Sequence, residues 1–153
     1  MCLQSWRARQ QAYEELNRKF RVCDGPRDGI FWEYFDYTKK FPLEQNVVAQ
    51  ESAVSCMTAY VECCDPAIGK KLRPEIVTSA IEKGLSAAKA GTRSKTIEFL
   101  MILIELDVAE PVIDELIAFL THKQPKLVAA SINCLKEIVK YLKFHRIQLF
   151  IFI

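Results

Sequence analysis

Apolar residues recur at helical spacing in seven stretches of this chain, and the clearest spans residues 93–108. There Ile97, Leu100, Met101 and Ile104 mark one helical face, while Phe99, Ile102 and Leu103 fill the others. A helix apolar nearly all round needs neighbours on both sides. The same periodicity predicts helices over 5–22, 29–41, 46–64, 74–89, 110–122 and 125–143. Pro74, Pro111 and Pro125 read as first-turn prolines, and Pro42 and Pro66 as stops, because proline disfavours helical geometry in the residue before it. The only β-like run is Leu149-Phe150-Ile151-Phe152-Ile153, so no strand is predicted elsewhere.

Aligned on small and apolar positions, the long helices repeat. Ala12, Ala53, Thr96 and Ala130 fall in register, followed four residues on by Leu16, Met57, Leu100 and Cys134, then by Phe20, Val61, Ile104 and Ile138. The steps of 41, 43 and 34 residues lie near the spacing of HEAT and armadillo units. The expected fold class is all-α, an α-solenoid of helix pairs: 29–41 with 46–64, 74–89 with 93–108, and 110–122 with 125–143. The first long helix, 5–22, has no preceding partner. The expected organisation is therefore a single incomplete domain over 1–153, truncated at both ends, with 5–143 in the repeat pattern and 144–153 an atypical apolar tail.

Composition narrows the functional classes. Half of the residues are hydrophobic and 26% are charged, the balance of a folded globular chain. A formal net charge of +2 supplies no general field for a nucleic acid backbone. Five apolar residues at the end cannot span a bilayer, which takes about 20, and Met1 to Gln10 lack the apolar run of a signal peptide. Cys2, Cys23, Cys56, Cys63, Cys64 and Cys134 have no paired C-x-x-C spacing and read as reduced thiols of a cytosolic core. His122 and His145 belong to no H-x-x-H arrangement, and no glycine-rich phosphate loop occurs. Glu14-Glu15 and Asp114-Glu115 read as solvated pairs on amphipathic helices. No catalytic residue, metal, cofactor or small-molecule substrate is expected, and the chain reads as a binding protein and not an enzyme.

Because a solenoid core serves stacking, recognition falls to turns displayed along one edge. The turns within pairs are Gln4 to Arg9, Glu44 to Val48, Gly91 to Lys95 and Thr121 to Lys126. A tryptophan at one end followed by bases makes a linear face with an aromatic anchor and cations for an acidic partner. Trp6 admits two readings, packing against a neighbouring helix or contact with a partner, and its place in the row favours contact. For any one of Arg93, Lys95, Lys123 and Lys126 the default is a solvated charge; their alignment argues for a site.

Ser5-Trp6-Arg7-Ala8-Arg9, continuing to Ala12-Tyr13-Glu14-Glu15-Leu16, resembles the W-K-A-R…Y-E-E-L signature that opens the first TOG domain of microtubule polymerases. Asn46 to Gln50, Ala90 to Lys95, Ile104 to Leu106 and His122 to Lys126 follow in the family's order, so the resemblance covers about 5–143. It implies a tubulin-binding module of a microtubule-associated protein that promotes microtubule growth and spindle organisation, in the cytoplasm on microtubules and spindle poles. Its implied partner is the αβ-tubulin heterodimer or the microtubule plus end. Carried over by position, Trp6 is the anchor, Val47 and Val48 add apolar contact, and Arg93, Lys95, Lys123 and Lys126 meet acidic tubulin surface. Arg7, Asn46 and Thr92 complete the implied contact set. The alternative is a generic HEAT scaffold that binds another protein through its side faces.

Overall fold

The stretches of strongest helical periodicity form the longest helices. The computed structural model describes residues 5–151, with side chains described for 5–145. In it α1 covers Trp6–Val22, α2 Ile30–Glu33, α3 Phe35–Thr38, α4 Val47–Cys63, α5 Pro66–Ser79, α6 Ala90–Glu105, α7 Glu110–Ala118 and α8 Pro125–Ile151. Short 3₁₀ turns at Phe41–Leu43 and Phe119–Thr121 and a π-helical turn at Ala80–Leu85 complete the set. No strand occurs among the described residues.

The long helices α1, α4, α6 and α8 stack in sequence order as one layer. Cross-links between neighbours advance together along both helices, which makes the helices parallel. Between α1 and α4 the Ser52 hydroxyl meets Glu14 at 3.4 Å, Asn17 Nδ2 donates to the Ser55 carbonyl at 3.0 Å, and Arg21 meets Glu62 at 3.1 Å. Between α4 and α6, Lys89 meets Glu51 at 2.8 Å and Lys95 donates to Ser55 Oγ at 2.9 Å. Ala130 and Asn133 of α8 face Ala90 to Ile97 of α6. All four amino ends therefore lie on one edge. The shorter helices α2, α3, α5 and α7 run back between them as a second layer.

The repeat register is also the burial pattern. Phe20, Ala53, Met57, Val61, Thr96, Leu100, Ile104, Cys134 and Ile138 are buried, and Ala12, Leu16 and Ala130 are half-buried. Each large apolar side chain so buried contributes about 1.5–3 kcal/mol. At the far end of α1, the rings of Phe20, Phe31 and Tyr60 pack with centroids 5.2 to 5.6 Å apart.

The helix expected over 93–108 runs over Ala90–Glu105, so Gly91 to Lys95, expected as a turn, lie in its first turns, and three further expectations need larger corrections. The helix expected over 29–41 is two short helices and a 3₁₀ turn. The Tyr60 hydroxyl donates to the Phe31 carbonyl, the acceptor that an unbroken helix would present to Phe35 N–H. Tyr34, at φ −98° and ψ 5°, takes the break. The helix expected over 74–89 begins instead at Pro66, which opens α5 behind the cap formed by Asp65 Oδ1 and the Ala67 N–H at 2.9 Å. Pro74 then lies inside α5; it and Lys70 are exposed, so water can satisfy the Lys70 carbonyl that Pro74 cannot. The third is the helix expected to end at 143, which runs on through Ile151. Most of the run read as β-like is thus helical backbone, while Phe152 and Ile153 lie outside the described residues.

The π-helical turn brings Gly84 against α6, where a Cβ would stand 2.6 Å from Thr96 Cγ2. Only glycine allows that approach, which fixes the depth of the third turn.

Candidate functional site

The amino ends of α1, α4, α6 and α8 form a row, and side chains clip each turn to the next. Arg9 of α1 grips Glu44, with Nε to Oε2 at 2.7 Å and Nη2 to Oε1 at 2.9 Å. Tyr13 donates to Glu44 Oε2 at 3.0 Å, and the Asn46 N–H to Oε1 at 2.9 Å. With four donors on it, the Glu44 side chain is only 3% exposed. The Arg9 hydrogen bond, helped by Asn46 and Tyr13, outweighs desolvation and holds its pKa at about 2. The second clip is Glu51, which takes Lys89 at 2.8 Å and Lys95 at 3.4 Å. Those lysines lower its pKa. The third is Lys126, whose Nζ donates to the Ser86 carbonyl at 2.8 Å.

The residues expected to meet a partner divide into those the row exposes and those the fold uses. Trp6 is half-buried, with the Arg7 guanidinium 5.2 Å from its ring centroid. Arg7 is exposed, as are Val47 at 41% and Val48 at 38%. Lys123 is exposed and makes no ion pair among the described residues. Thr92, in contrast, is fully buried and cannot touch a partner. It sits on the inward face of α6, one turn before Thr96, which donates to its carbonyl at 2.8 Å. Asn46 is the cap of α4, accepting from Val48 N–H at 3.0 Å and Ala49 N–H at 3.1 Å, so its side-chain oxygen is already engaged. Arg93 gives Nη1 to the carbonyls of Ala87 and Ala88 at 2.7 and 2.8 Å. Lys95 and Lys126 belong to the clips. Gln4, the first residue of the first turn, lies outside the described residues.

Sequence reasoning missed Glu44 and Glu51. The available signal for Glu44 was its being an acid in an otherwise basic row of turns, two residues before a helix cap. Glu51 gave none, because its partners lie 38 and 44 positions away in sequence.

Electrostatically the row is unusual. A helix amino end carries partial positive charge and favours an acid in its first turn, by about 0.3–1 kcal/mol. None of α1, α4, α6 and α8 has one, and the residue capping α6 is Lys89. Both nearby carboxylates, Glu44 and Glu51, are neutralised inside the chain. The edge is left without a free acid at its helix starts, with Trp6, Val47 and Val48 partly exposed along it.

No group of three or more His, Cys, Asp or Glu among the described residues is placed to hold a metal. Cys23, Cys56, Cys63, Cys64 and Cys134 are free thiols, and Cys2 lies outside the described residues. Burial pushes Cys56 and Cys134 up to about 12 and Cys64 to about 11, where a thiolate nucleophile is disfavoured. No described helix is long and apolar enough to cross a membrane.

Comparison with known proteins places this geometry. The family model described as XMAP215/Dis1/CLASP, TOG domain, matches residues 2–153. The chain is 34% identical over 138 residues to the spindle pole body component alp14 of Schizosaccharomyces pombe, covering 88% of this chain and 17% of that protein. It is 31% identical over 136 residues to centrosomal protein 224 of Dictyostelium discoideum, covering 89% and 7%. To protein mini spindles of Drosophila melanogaster it is 25% identical over 127 residues, covering 83% and 6%. The chain thus spans less than a fifth of the length of these relatives. Among solved structures, it superposes with a TM-score of 0.79 and 28% identity on a chain from work on tubulin recruitment and assembly by microtubule polymerases with tumor overexpressed gene (TOG) domain arrays. That match covers 90% of this chain and 29% of the other.

Proposed function

The chain belongs to the XMAP215/Dis1/CLASP TOG-domain family, and from that premise we propose that its row of helix starts binds the αβ-tubulin heterodimer. The role is that of a binding module, without a catalytic step, in a microtubule-associated protein that promotes microtubule growth and spindle organisation in the cytoplasm, at microtubules and spindle poles. Trp6, Arg7, Val47, Val48 and Lys123 form the exposed contact set. Arg93, Lys95 and Lys126 add charge from positions they also hold for the fold.

One observation carries the reading. Four parallel helices begin on one edge with no acid in any first turn. A chain selected for stability alone would place acids there, and their omission leaves the edge ready for an acidic partner.

The test is co-elution of the chain with unpolymerised αβ-tubulin at low salt. Trp6→Ala and Lys123→Glu should each weaken the complex by about tenfold, the effect of losing an interface anchor or a charge contact. Elution unchanged by both variants overturns the assigned face. A second reading, a HEAT scaffold for another protein, draws on Trp32 and Tyr37 of the second layer, which stand 53% and 51% exposed. Capture of a partner that Trp32→Ala abolishes and Trp6→Ala leaves intact would favour it.

A further inference from the structure

The two ends of the stack are finished differently, and we infer that the end formed by α7 and α8 is a docking surface for a second copy of this chain. At the other end, α1 past Trp6 exposes no large apolar side chain until Val22, its last residue, and Glu15 and Lys19 pair with each other at 3.2 Å. At the α8 end Ile132 is 55% exposed, Val139 49% and Ile117 of α7 50%, with Val128 and Leu135 half-buried among them. Ala130 and Asn133 of α8 face α6. Val128, Ile132 and Leu135 each lie two residues from one of these, about 200° round the helix, and so look away from the stack. Val139 continues their stripe one turn on. Ile117 likewise lies two residues from Glu115, which accepts from the Thr78 hydroxyl of α5 at 2.7 Å. An apolar stripe at this spacing is what one helix presents to another.

Shape and charge select the occupant. The α1 end offers no matching stripe, which disfavours head-to-tail stacking, whereas two copies of the α7 and α8 face match each other in an isologous contact that closes at two. Beside the stripe, Glu110 and Asp114 of α7 and Lys136 and Lys143 of α8 are exposed and form no ion pair among the described residues. Because α7 and α8 are antiparallel neighbours, the start of α7 and the later part of α8 lie at the same level. A two-fold axis along the helices sets α8 of each copy on α7 of the other, as an antiparallel four-helix bundle, and brings these lysines to the acids of the second copy. An axis across the helices would instead set α8 on α8 and bring the lysines toward Lys123 and Lys126, a like-charge contact. The area is sufficient. At about 1.5 Å of rise per residue and about 10 Å of width, the 27 residues of α8 and the nine of α7 with three of its 3₁₀ turn offer about 600 Å² per copy. The total of about 1,200 Å² is the lower limit of a specific interface and fits a dissociation constant in the micromolar range.

The inference stands apart from tubulin binding, and no tubulin enters its test. Sedimentation of the full chain at low salt, from about 1 to about 200 μM to span that range, should show the mass rising from 17.6 kDa toward twice that value. Ile132→Glu should weaken association at least about tenfold, as for a central apolar contact. It should melt with the parent in dilute solution, since Ile132 is exposed in the single chain. Asp114→Lys and Lys136→Glu should each weaken association by about fivefold, through two lost ion pairs per dimer. An equimolar mixture of those two variants should associate like the parent, because a mixed pair has opposite charges at both contacts of α7 with α8. A chain that stays at 17.6 kDa throughout, or association that Ile132→Glu leaves unchanged, overturns the surface. Growth beyond two copies overturns the closed contact, and a mixture as weak as its components overturns the placing of α8 on α7.

Discussion

The two edges of the solenoid treat the same problem in opposite ways. On the far edge, where α2, α5 and α7 begin, every helix start has an acid. Asp28 accepts from Ile30 N–H at 2.9 Å and Asp24 N–H at 3.1 Å. Asp65 caps α5 and meets Arg27 at 3.3 Å, while Glu110 stands in the first turn of α7. Asp107, in the connection before α7, holds Arg73 at 2.6 Å and Lys70 at 3.6 Å. On the near edge the long helices begin without acids, and the carboxylates nearby are consumed by clips between turns. The far edge is finished within the chain, whereas the near edge holds its turns rigidly in place and leaves their charge for something else. A surface kept rigid and electrostatically incomplete is what binding requires and what stability alone does not.

This contrast can be broken most severely at Glu44. Glu44→Ala removes a buried carboxylate with four donors on it, and should cost about 3 kcal/mol in denaturant unfolding, as for a buried pair deprived of one partner. It should also weaken tubulin binding, because the first two turns lose their common anchor. Full retention of stability would mean that Arg9 and Tyr13 find equivalent partners.

Acid titration gives the next largest effect. Glu44 has its pKa lowered from 4.5 to about 2, so its contribution is complete above the unfolded value and is lost as pH falls through the folded one. Asp28, Asp65 and Asp107 are shifted in the same direction, the first by backbone N–H groups, the second by the Ala67 N–H ahead of Arg27, and the third chiefly by Arg73. Stability should therefore decline below about pH 4.5 and continue to fall toward pH 2. Glu44→Gln should flatten the lower part of that decline, as read from thermal melts across the range. A parent-like slope in this variant would assign the acid sensitivity to the other lowered carboxylates, Glu51 and the far-edge aspartates.

Smaller effects separate the edges. Asp65→Ala should cost about 1 kcal/mol by removing the cap of α5, and leave tubulin binding unchanged. Gln124→Asp does the reverse on the near edge. An acid at the start of α8 should add about 0.5 kcal/mol to stability while weakening binding, measured by melting and by co-elution of the same sample.

How much of this was legible in the sequence follows from where each determinant lies. The long helices were legible because burial imposes a period on consecutive residues, and Leu16, Met57, Leu100 and Cys134 carry it openly. The break at Tyr34 was hidden, since its cause is a hydroxyl at Tyr60, in another helix. Pro74 misled because its tolerance depends on facing water, a property of the assembled layer. The turn row was legible in its order and spacing, but the division of labour inside it was not. Thr92 and Asn46 look like turn residues and are committed to the interior and to a cap, while Lys95 finds Glu51 and Ser55 only after α4 and α6 have stacked.

The most direct test compares equal charge changes on the two edges in a titration against unpolymerised αβ-tubulin at low salt. One variant combines Arg7→Glu with Lys123→Glu on the near edge, and the other combines Arg27→Glu with Lys70→Glu on the far edge. The near-edge variant should lose at least about tenfold in affinity and the far-edge variant should bind within about twofold of the parent. Equal losses, or a loss confined to the far edge, would contradict the assignment of recognition to the row of helix starts.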